Sequence, residues 1–321
     1  MHNVGVTGIG SLIGQGIIKS ILKGNFAHEY SIIGFDYFPN TVGSYWCKKS
    51  YILPDILMPM NEENWLAQVM EIIDKENLKI LFIGVDFELK LFAKYKVKIE
   101  ARTQCKIVVS SNEVIEISDD KYKTFRFLKE SGLYYPQTVL PHEVDVSSLK
   151  FPLIVKPRIG ARSVGVSLVK KYQDLNAALY AADDPIIQEY IGDNTKEYTC
   201  GVIAFEGVLK SSIALKRSLK AGNTHTSEYL TDTPQIILDY IEAITHKLKP
   251  FGACNFQLRL GVDGIPKLFE INARHSGTTY MRSLFGFHEI DYILKYLLEG
   301  KEIEFKLREG KAMRFFEEQL I

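Results

Sequence analysis

Paired cysteines, an excess of charge of either sign and long apolar runs are all missing from this sequence. The 321 residues include four cysteines, and none stands in a C-x-x-C pair, which excludes zinc sites of that spacing and gives no disulfide framework. Lysine plus arginine number 39, as do aspartate plus glutamate, so no overall field directs the protein to nucleic acid or a membrane surface. No stretch resembles a membrane span or a signal peptide. We therefore expect a cytoplasmic globular protein that acts on small molecules.

Short apolar runs alternate with helical patterns up to about residue 110. Strands are expected at 4–7, 31–35, 80–85 and 106–110, and the intervening helices carry their apolar residues on one face. This alternation predicts an α/β fold with a parallel, doubly wound sheet at the N-terminus. Beyond residue 112 the pattern changes to an α+β one, with strands expected at 151–155, 165–169, 186–191, 197–205, 208–215, 253–260 and 266–271 and helices near 120–130, 234–247 and 288–298.

A glycine turn follows the first strand. Gly8, Gly10 and Gly14 lead into a helix, and Asp36 ends the next strand. Backbone N–H groups at a helix N-terminus can receive a phosphate. Such turns also serve to pack a helix closely on a strand, and a scaffold or substrate-facing role is favoured over dinucleotide binding.

A lysine ends the strand expected before the loop 157–165. Lys156 supplies a point charge, and Gly160, Ser163 and Gly165 allow backbone amides to approach phosphate oxygens, with Arg162 as a second cation. No G-K-[ST] follows, so this is not a Walker loop. The alternative is a surface hairpin with a solvated lysine.

The apolar strand at 186–191 carries polar residues at its end. Its Gln188 and Glu189 are followed by Tyr190, Ile191 and, farther on, Glu197. A strand edge with free main-chain groups can recognise an adenine-like base, and the two acids can accept hydrogen bonds from an amine or from ribose hydroxyls. The alternative is an edge strand kept soluble by its acids.

Asp263-Gly264 stands between two alternating strands and predicts a two-residue hairpin turn. Val262 then pairs with Ile265. Counting back along both strands fixes the rest of the register.

In this register Gln257 falls opposite Glu270, and Asn255 falls opposite Asn272. Because side chains alternate, these four share a face with Arg259, while the core face holds Phe256, Leu258, Phe269 and Ile271.

One carboxylate and three amide oxygens would thus converge within roughly 4.5 to 5.5 Å between Cβ atoms. Mg²⁺ prefers such oxygen ligands, completed by phosphates and water. Arg274 begins on the same face and could stabilise a transferring phosphoryl group. A solvated sheet face is the alternative, and His275 is expected to be a structural loop histidine.

The order of these parts resembles the ATP-grasp superfamily, and in particular a single nucleotide-binding half of the carbamoyl-phosphate synthetase large chain. The resemblance spans most of the chain. Its motifs are Asp120-Lys121 before a helix, the Lys156 strand with its flap, the hinge 188–191 with Glu197, Asn255-Phe256-Gln257, and Phe269-Glu270-Ile271-Asn272-Ala273-Arg274.

The resemblance implies a set of ATP contacts around base and phosphates. Glu189 with the backbone of Tyr190 and Ile191 would hold adenine, and Glu197 the ribose. The full set of ATP-binding residues is Lys121, Lys156, Ser163, Gln188, Glu189, Tyr190, Ile191, Glu197 and His225.

For the chemistry, the resemblance implies that Gln257, Glu270 and Asn272 carry Mg²⁺, with Mn²⁺ as a substitute. Arg274 and Lys156 are then the catalytic cations. The implied domains are a leading Rossmann-like domain at 1–112, a small subdomain with the flap at 113–189 and a large subdomain with the metal site at 190–321.

The sequence thus predicts a ligase that uses ATP and Mg²⁺ to join a small carboxylate to an amine through an acyl phosphate, releasing ADP and phosphate. A homodimer is compatible with this reading. Expected walls of the acceptor site are the glycine turn, Asp86 with Glu88, Lys216-Arg217 and the loop 276–282.

The sequence also departs from the family pattern. The flap has few glycines and carries Arg162, and position 257 has an amide where other branches have an acid. With one ATP-binding half and no glutaminase-like cysteine motif, complete carbamoyl-phosphate synthesis is not expected. The alternatives are a nicotinamide-dependent oxidoreductase that uses the glycine turn and a non-catalytic ATP-binding regulator.

Overall fold

Three β-sheets build the protein. The computed structural model describes residues 1–145, 148–160, 163–192 and 196–321. The expected fold class is confirmed: a parallel sheet comes first, and two antiparallel sheets follow. No helix in the described ranges is both long and apolar enough to cross a membrane.

The first sheet has five parallel strands in the order β3-β2-β1-β4-β5. Its second strand is buried along its whole length, as expected for a strand covered on both faces. The strands are β1 (His2–Thr7), β2 (Tyr30–Asp36), β3 (Lys49–Ile52), β4 (Leu78–Phe82) and β5 (Lys106–Val108), and the helices are α1 (Leu12–Leu22), α2 (Val42–Trp46), α3 (Glu62–Glu76) and α4 (Leu89–Thr103).

The second sheet has four antiparallel strands in the order β6-β9-β7-β8. Two helices precede it and a third packs on it. These elements are α5 (Asn112–Asp119), α6 (Lys121–Glu130), β6 (Thr138–Val139), β7 (Leu153–Pro157), β8 (Ser167–Val169), α7 (Leu175–Ala181) and β9 (Pro185–Glu189).

The third sheet has six antiparallel strands in the order β14-β13-β10-β11-β12-β15. Its central strand β10 is fully buried. The elements are β10 (Glu197–Phe205), β11 (Val208–Lys220), β12 (Asn223–Tyr229), α8 (Gln235–Leu248), β13 (Gly252–Leu260), β14 (Pro266–Asn272), α9 (Thr279–Ser283), α10 (Glu289–Glu299) and β15 (Gly310–Met313).

The first and third sheets share their hydrophobic core, whereas the second has a smaller core of its own. One cluster joins Trp65 and Phe92 of the N-terminal part to Phe256 and Leu268 of the third sheet. A separate cluster around Val155 and Leu175 lies under the four-stranded sheet. The predicted strands are present, while β3, β6, β12 and β15 were not predicted. The domain limits stay a prediction.

The hairpin of β13 and β14 keeps the predicted register where it matters for the site. Asn255 pairs with Asn272, and Gln257 pairs with Glu270. A shift follows between Gln257 and Leu258.

The predicted two-residue turn is wrong. Gly261 N–H donates to Ile265 O at 2.9 Å, so the turn holds three residues, and Gly264 takes a φ of 74° that glycine adopts without strain. The shift in the strands absorbs the extra residue as a bulge. As a result Leu268 occupies the core, and Phe269, which was predicted on the core face, lines a cavity instead.

Candidate functional site

A cavity of about 410 Å³ lies where the three sheets meet. The end of β9 forms one side, and the β13–β14 hairpin forms the floor. The glycine turn, the segment after β4 and the residue after β15 form the opposite side. The predicted ATP-binding, metal-binding and catalytic residues that line it are Lys121, Lys156, Ser163, Gln188, Glu189, Ile191, Glu197, Gln257, Glu270, Asn272 and Arg274.

Lys156 lies near the end of β7, 5% exposed. Its Nζ donates to Phe269 O at 3.2 Å and stands 5.5 Å from the centre of the Phe269 ring. Burial, with the nearby Lys121 ammonium, lowers the pKa of Lys156 to about 7, although Glu270 opposes this shift. The predicted solvated-hairpin alternative does not describe this lysine, because its amine is buried at the cavity wall.

Lys121 fixes the base of the flap. Its Nζ donates to Gly160 O at 2.9 Å and to Arg158 O at 3.3 Å. Asp120 caps α6 by accepting from Tyr122 N–H. The Arg158 guanidinium lies 2.5 Å from the Asp120 carboxylate. Ser163 is exposed at the cavity mouth, and Arg162 lies outside the described residues.

Polar side chains of the hinge 188–191 already have hydrogen-bond partners within the protein. Gln188 Nε2 donates to Thr138 Oγ1 at 2.9 Å. The Glu189 carboxylate accepts from Gln137 N–H at 3.0 Å and from Lys267 Nζ at 2.6 Å. Ile191 lines the cavity beyond the last paired residue of β9. Tyr190 does not line it; the Arg259 guanidinium lies 5.5 Å from its ring.

Glu197 is clamped between two arginines. Oε1 accepts from Arg217 Nε at 2.8 Å, and Oε2 accepts from Arg259 Nη2 at 2.7 Å. The carboxylate side chain is 6% exposed. The sequence predicted that the Glu197 carboxylate would be free to accept hydrogen bonds from a ligand. It placed Arg217 in the wall of the acceptor-substrate site. Lys216, its neighbour, does not line the cavity, since successive residues of a strand face opposite sides.

Thr224, not His225, faces the cavity from β12. Thr224 is buried and lines the cavity, whereas His225 does not. A register shift between β11 and β12 falls at this point. The prediction of His225 as a contact in the site is therefore not supported by its position.

Glu270 and the two predicted amides form a compact oxygen-rich set. Glu270 Oε1 accepts from Asn272 Nδ2 at 2.8 Å and from Gln257 Nε2 at 3.3 Å. Gln257 Oε1 accepts from Arg217 Nη2 at 2.6 Å. In the described ranges no three His, Cys, Asp or Glu side chains converge. Both amides turn their nitrogens to Glu270, and their oxygens accept from Arg217 and Arg274. The Glu270 carboxylate still fits Mg²⁺ that arrives with phosphates and water, because this ion needs few protein ligands.

Asn255 does not join this set, contrary to the prediction. Its Oδ1 accepts from Thr199 Oγ1 at 2.8 Å and from Arg282 Nη2. Arg282 is fully buried and also donates to Glu289 Oε2 at 2.9 Å. Gly201 makes room for it, since a Cβ there would lie 2.5 Å from the Arg282 Cζ.

Glu289 anchors the loop below the cavity. Burial alone would raise its pKa, but Arg282 and hydrogen bonds from His275 and Thr279 lower the pKa to about 2. His275 Nδ1 lies 2.9 Å from Glu289 Oε1, so the histidine is structural as predicted. No local pattern predicts this network, because Glu289 opens α10 and has the position of an ordinary acid in the first turn of a helix.

Arg274 joins the floor of the cavity to the first sheet. Its Nε donates to Asp86 Oδ1 at 2.7 Å, and its Nη1 donates to Asn272 Oδ1 at 3.1 Å. Asp86 lines the cavity, as predicted. Glu88 does not; it is buried and accepts from Thr7 Oγ1 and Tyr37.

Asp36, at the end of β2, holds the glycine turn by a hydrogen bond. Asp36 Oδ2 accepts from Gly10 N–H at 2.6 Å, and Oδ1 accepts from Tyr37 N–H at 2.7 Å. A Cβ at Gly14 would lie 2.2 Å from Gly8 O, so this glycine lets α1 pack against the turn. Ser11, at the start of α1, lines the cavity.

Two family models match the chain. One, described as an ATP-grasp in the biosynthetic pathway with Ter operon, matches residues 182–318. The other, a RimK-like ATP-grasp domain, matches residues 118–228. Each model covers less than half of the chain, and together they match residues 118–318, where the chain is similar to ATP-grasp domains. The resemblance drawn from its motifs is confirmed.

Individual proteins agree with this ATP-grasp assignment. A carbamoyl phosphate synthase large chain of Thermoplasma acidophilum is 28% identical over 240 residues, covering 67% of this chain and 22% of the relative. A carbamoyl-phosphate synthase of Methanobrevibacter smithii is 23% identical over 216 residues, 62% of this chain and 57% of the relative. The chain thus spans only part of each relative's length.

A similar fold is found in solved structures. The crystal structure of an L-amino acid ligase from Bacillus licheniformis superposes with a TM-score of 0.70 at 16% identity, covering 93% of this chain and 74% of that one. At this identity the likeness concerns the fold.

Proposed function

We propose that the protein is an ATP- and Mg²⁺-dependent ligase that activates a carboxylate as an acyl phosphate and joins it to an amine. One observation carries this proposal. A single cavity brings together the hinge of β9, the buried Lys156, the Glu270 set and Arg274, and it continues to the glycine turn of the first sheet. Nucleotide and acceptor can therefore lie end to end in one space.

The residues that line the cavity can be given roles in this reaction. The hinge around Glu189 and Ile191 receives the base, and Lys121 and Lys156 receive the phosphates. Arg274, held by Asp86, neutralises charge on the γ-phosphoryl group as a carboxylate oxygen attacks it. The amine then adds to the acyl carbon, and phosphate departs with the attacking oxygen. Arg217 and Arg259 hold Glu197 in position for the ribose.

Glu270 and Asn272 would hold Mg²⁺, with the amide of Gln257 beside them. When bound, the ion neutralises charge on the phosphates. Rotation of either amide exchanges its nitrogen and oxygen toward Glu270. For Gln257 this rotation must displace Arg217, and for Asn272 it must displace Arg274, so Glu270 is the ligand of this set that needs no rearrangement.

The two alternatives fit the site less well. A nicotinamide-dependent enzyme would use Asp36 for a ribose, yet both oxygens of this carboxylate already accept hydrogen bonds, one from Gly10 N–H and the other from Tyr37 N–H. A titration with NADH and with ATP separates these functions. A non-catalytic regulator would not need Arg274 aligned with Asn272 and Asp86.

The function is tested by a screen of carboxylate and amine pairs for ATP-dependent phosphate release. We expect release that needs Mg²⁺ and both substrates. NADH binding with no ATP binding would contradict the proposal.

We predict that the co-products are ADP and phosphate, because the cations of the cavity gather where terminal phosphates are expected. A carboxylate labelled with oxygen-18 should pass one labelled atom into the phosphate, since its oxygen attacks phosphorus and leaves with it. Mass spectrometry of the released phosphate measures the transfer. Label in AMP, with pyrophosphate as co-product, would rule out this mechanism.

We also predict that ATP binding takes up a proton above pH about 7. Lys156 has its pKa lowered to about 7 by burial, and bound phosphates would favour its charged form. Proton uptake is expected only at pH values between this pKa and 10.5, the ordinary pKa of a lysine. In the ligand-free protein the unfolded state binds more protons across this window, so the contribution of Lys156 to stability rises with pH.

Calorimetry at about pH 8.5 in two buffers of different ionisation enthalpy measures the uptake. Lys156→Arg is the control, because arginine stays charged and should bind without uptake. Equal heats in both buffers for the unsubstituted protein would contradict the prediction.

A further inference from the structure

A second cavity, of about 350 Å³, lies beside the C-terminal end of α1. Lys23, at the C-cap of α1, forms one side, and Tyr280 of α9 forms the next. The segment before β15 completes the wall with Lys306 and Arg308. This cavity has no described lining residue in common with the first one. A ligand bound here would therefore be distinct from the nucleotide and the substrates of the proposed ligase.

Every described lining residue that is charged at neutral pH is a cation. These cations are Lys23, Lys306 and Arg308. None of the three forms an ion pair within the described ranges. Because the whole chain has equal numbers of basic and acidic residues, three unpaired cations around one cavity are a local excess. Such an excess attracts a ligand with more than one negative charge.

The acids nearest to this cavity in the sequence do not neutralise its cations. Glu289 pairs with the buried Arg282. Glu309 accepts from the backbone N–H and the hydroxyl of Thr231, and Glu304 does not line the cavity. The positive potential of the cavity is therefore left for a ligand to balance.

The two cations before β15 lie on the same face of their segment. Ile303, Phe305 and Leu307 pack against the hydrophobic core, whereas Lys306 and Arg308 are exposed. Since alternate residues of an extended chain point to the same side, the packing of the apolar residues sets both cations toward the cavity that they line.

Backbone contacts hold this segment against the end of α9. Arg308 N–H donates to Phe285 O at 2.9 Å, and Arg308 Nε donates to Leu284 O at 2.9 Å. A Cβ at Gly286 would lie 2.2 Å from Lys306 O, so this glycine permits the close approach. The cavity wall is thus built by the protein itself, and the two Nη groups of the guanidinium are left to a ligand.

Aromatic and apolar surface lies next to the cations. Lys23 Nζ is 5.5 Å from the centre of the Tyr280 ring, and Leu284 is 38% exposed. Burial lowers the pKa of His288, and Arg308 lowers it further, so the guanidinium acts on the imidazole in the same wall. A ligand with an organic part beside its charged group would contact both kinds of surface.

We infer that this second cavity binds the phosphate group of a small phosphorylated metabolite. Two ammonium groups and the Nη donors of an arginine suit a phosphate dianion, which accepts several charge-assisted hydrogen bonds. A single carboxylate would leave most of the positive charge unbalanced. Tyr280 and Leu284 would contact the organic part. The inference does not depend on the ligase function, because the cavity lies apart from the proposed nucleotide site.

The experiment titrates phenyl phosphate, inorganic phosphate and benzoate into the full chain by calorimetry at low ionic strength. We expect phenyl phosphate to bind most tightly and inorganic phosphate to bind more weakly. Benzoate has the ring but a single charge, and its affinity should be at least about tenfold below that of phenyl phosphate.

Lys23→Gln and Lys306→Gln should each weaken phenyl phosphate binding about fivefold or more, because each removes one charged donor. The two lysines are far apart in the sequence, so a loss in both variants places them at one site. Lys311→Gln is the matched control: this lysine is exposed in the adjacent β15 and lines neither cavity.

Phenyl phosphate affinity that is unchanged in Lys23→Gln and Lys306→Gln, or lowered as much in Lys311→Gln, overturns the inference. Equal affinity for benzoate does so too. Loss of phenyl phosphate binding when Mg²⁺ and a non-hydrolysable ATP analogue are present would place the probe in the first cavity and overturn it as well. Inorganic phosphate that binds as tightly as phenyl phosphate contradicts a phosphorylated metabolite. Failure of the analogue to bind counts against the ligase proposal alone.

Discussion

Glu270→Gln is expected to lower Mg²⁺-dependent turnover by about 100-fold or more while the protein stays folded. Glu270 is the one carboxylate in the set that also contains Gln257 and Asn272. Glutamine keeps the shape and the hydrogen-bonding capacity of the side chain, but it removes the negative charge that would hold the ion. The half-buried position means that removing this charge should cost little stability.

Circular dichroism shows whether Glu270→Gln is folded. The Mg²⁺ dependence of its phosphate release and its nucleotide affinity are then measured on the same variant. Glu302→Gln is the control, because Glu302 is 56% exposed in its ion pair with Lys210 and lies outside the cavity. Unchanged turnover in folded Glu270→Gln would remove the basis for the metal assignment.

Glu289→Gln is expected to destabilise the protein by about 3–5 kcal/mol, because it leaves the guanidinium of Arg282 buried without its counter-charge. Both side chains of this pair are 0% exposed. Since the pKa of Glu289 falls from 4.5 to about 2 in the folded protein, its charge contributes fully above pH 4.5. This contribution is lost as the pH falls toward 2.

Urea unfolding at neutral pH measures the loss of stability. The same unfolding experiment at lower pH should show a smaller difference in the free energy of unfolding between the unsubstituted protein and Glu289→Gln. Glu116→Gln is the control: it makes the same chemical change in an exposed ion pair with Lys123, where solvent screens the charges and little change in stability is expected. A loss as small as that of the control would show that the buried pair does not hold the loop 275–279 in place. The double replacement Arg282→Met with Glu289→Leu should recover part of the stability.

Much of the fold could be predicted because it depends on local pattern. Alternating apolar residues located β10, β13 and β14, and the βαβ order located the parallel sheet. The predicted hairpin turn was wrong by one residue, yet Gln257 still faces Glu270, since the later bulge cancels the error. Periodicity cannot reveal a bulge, and Phe269 was therefore assigned to the wrong face.

The sequence by itself determined the element order and the shared strand face of Gln257, Glu270 and Asn272, because these follow from local periodicity and from side-chain alternation within one hairpin. Only the tertiary structure decided which partners those residues have. The clamp on Glu197 joins β10, β11 and β13. Such contacts depend on how the sheets pack, and no local pattern encodes them.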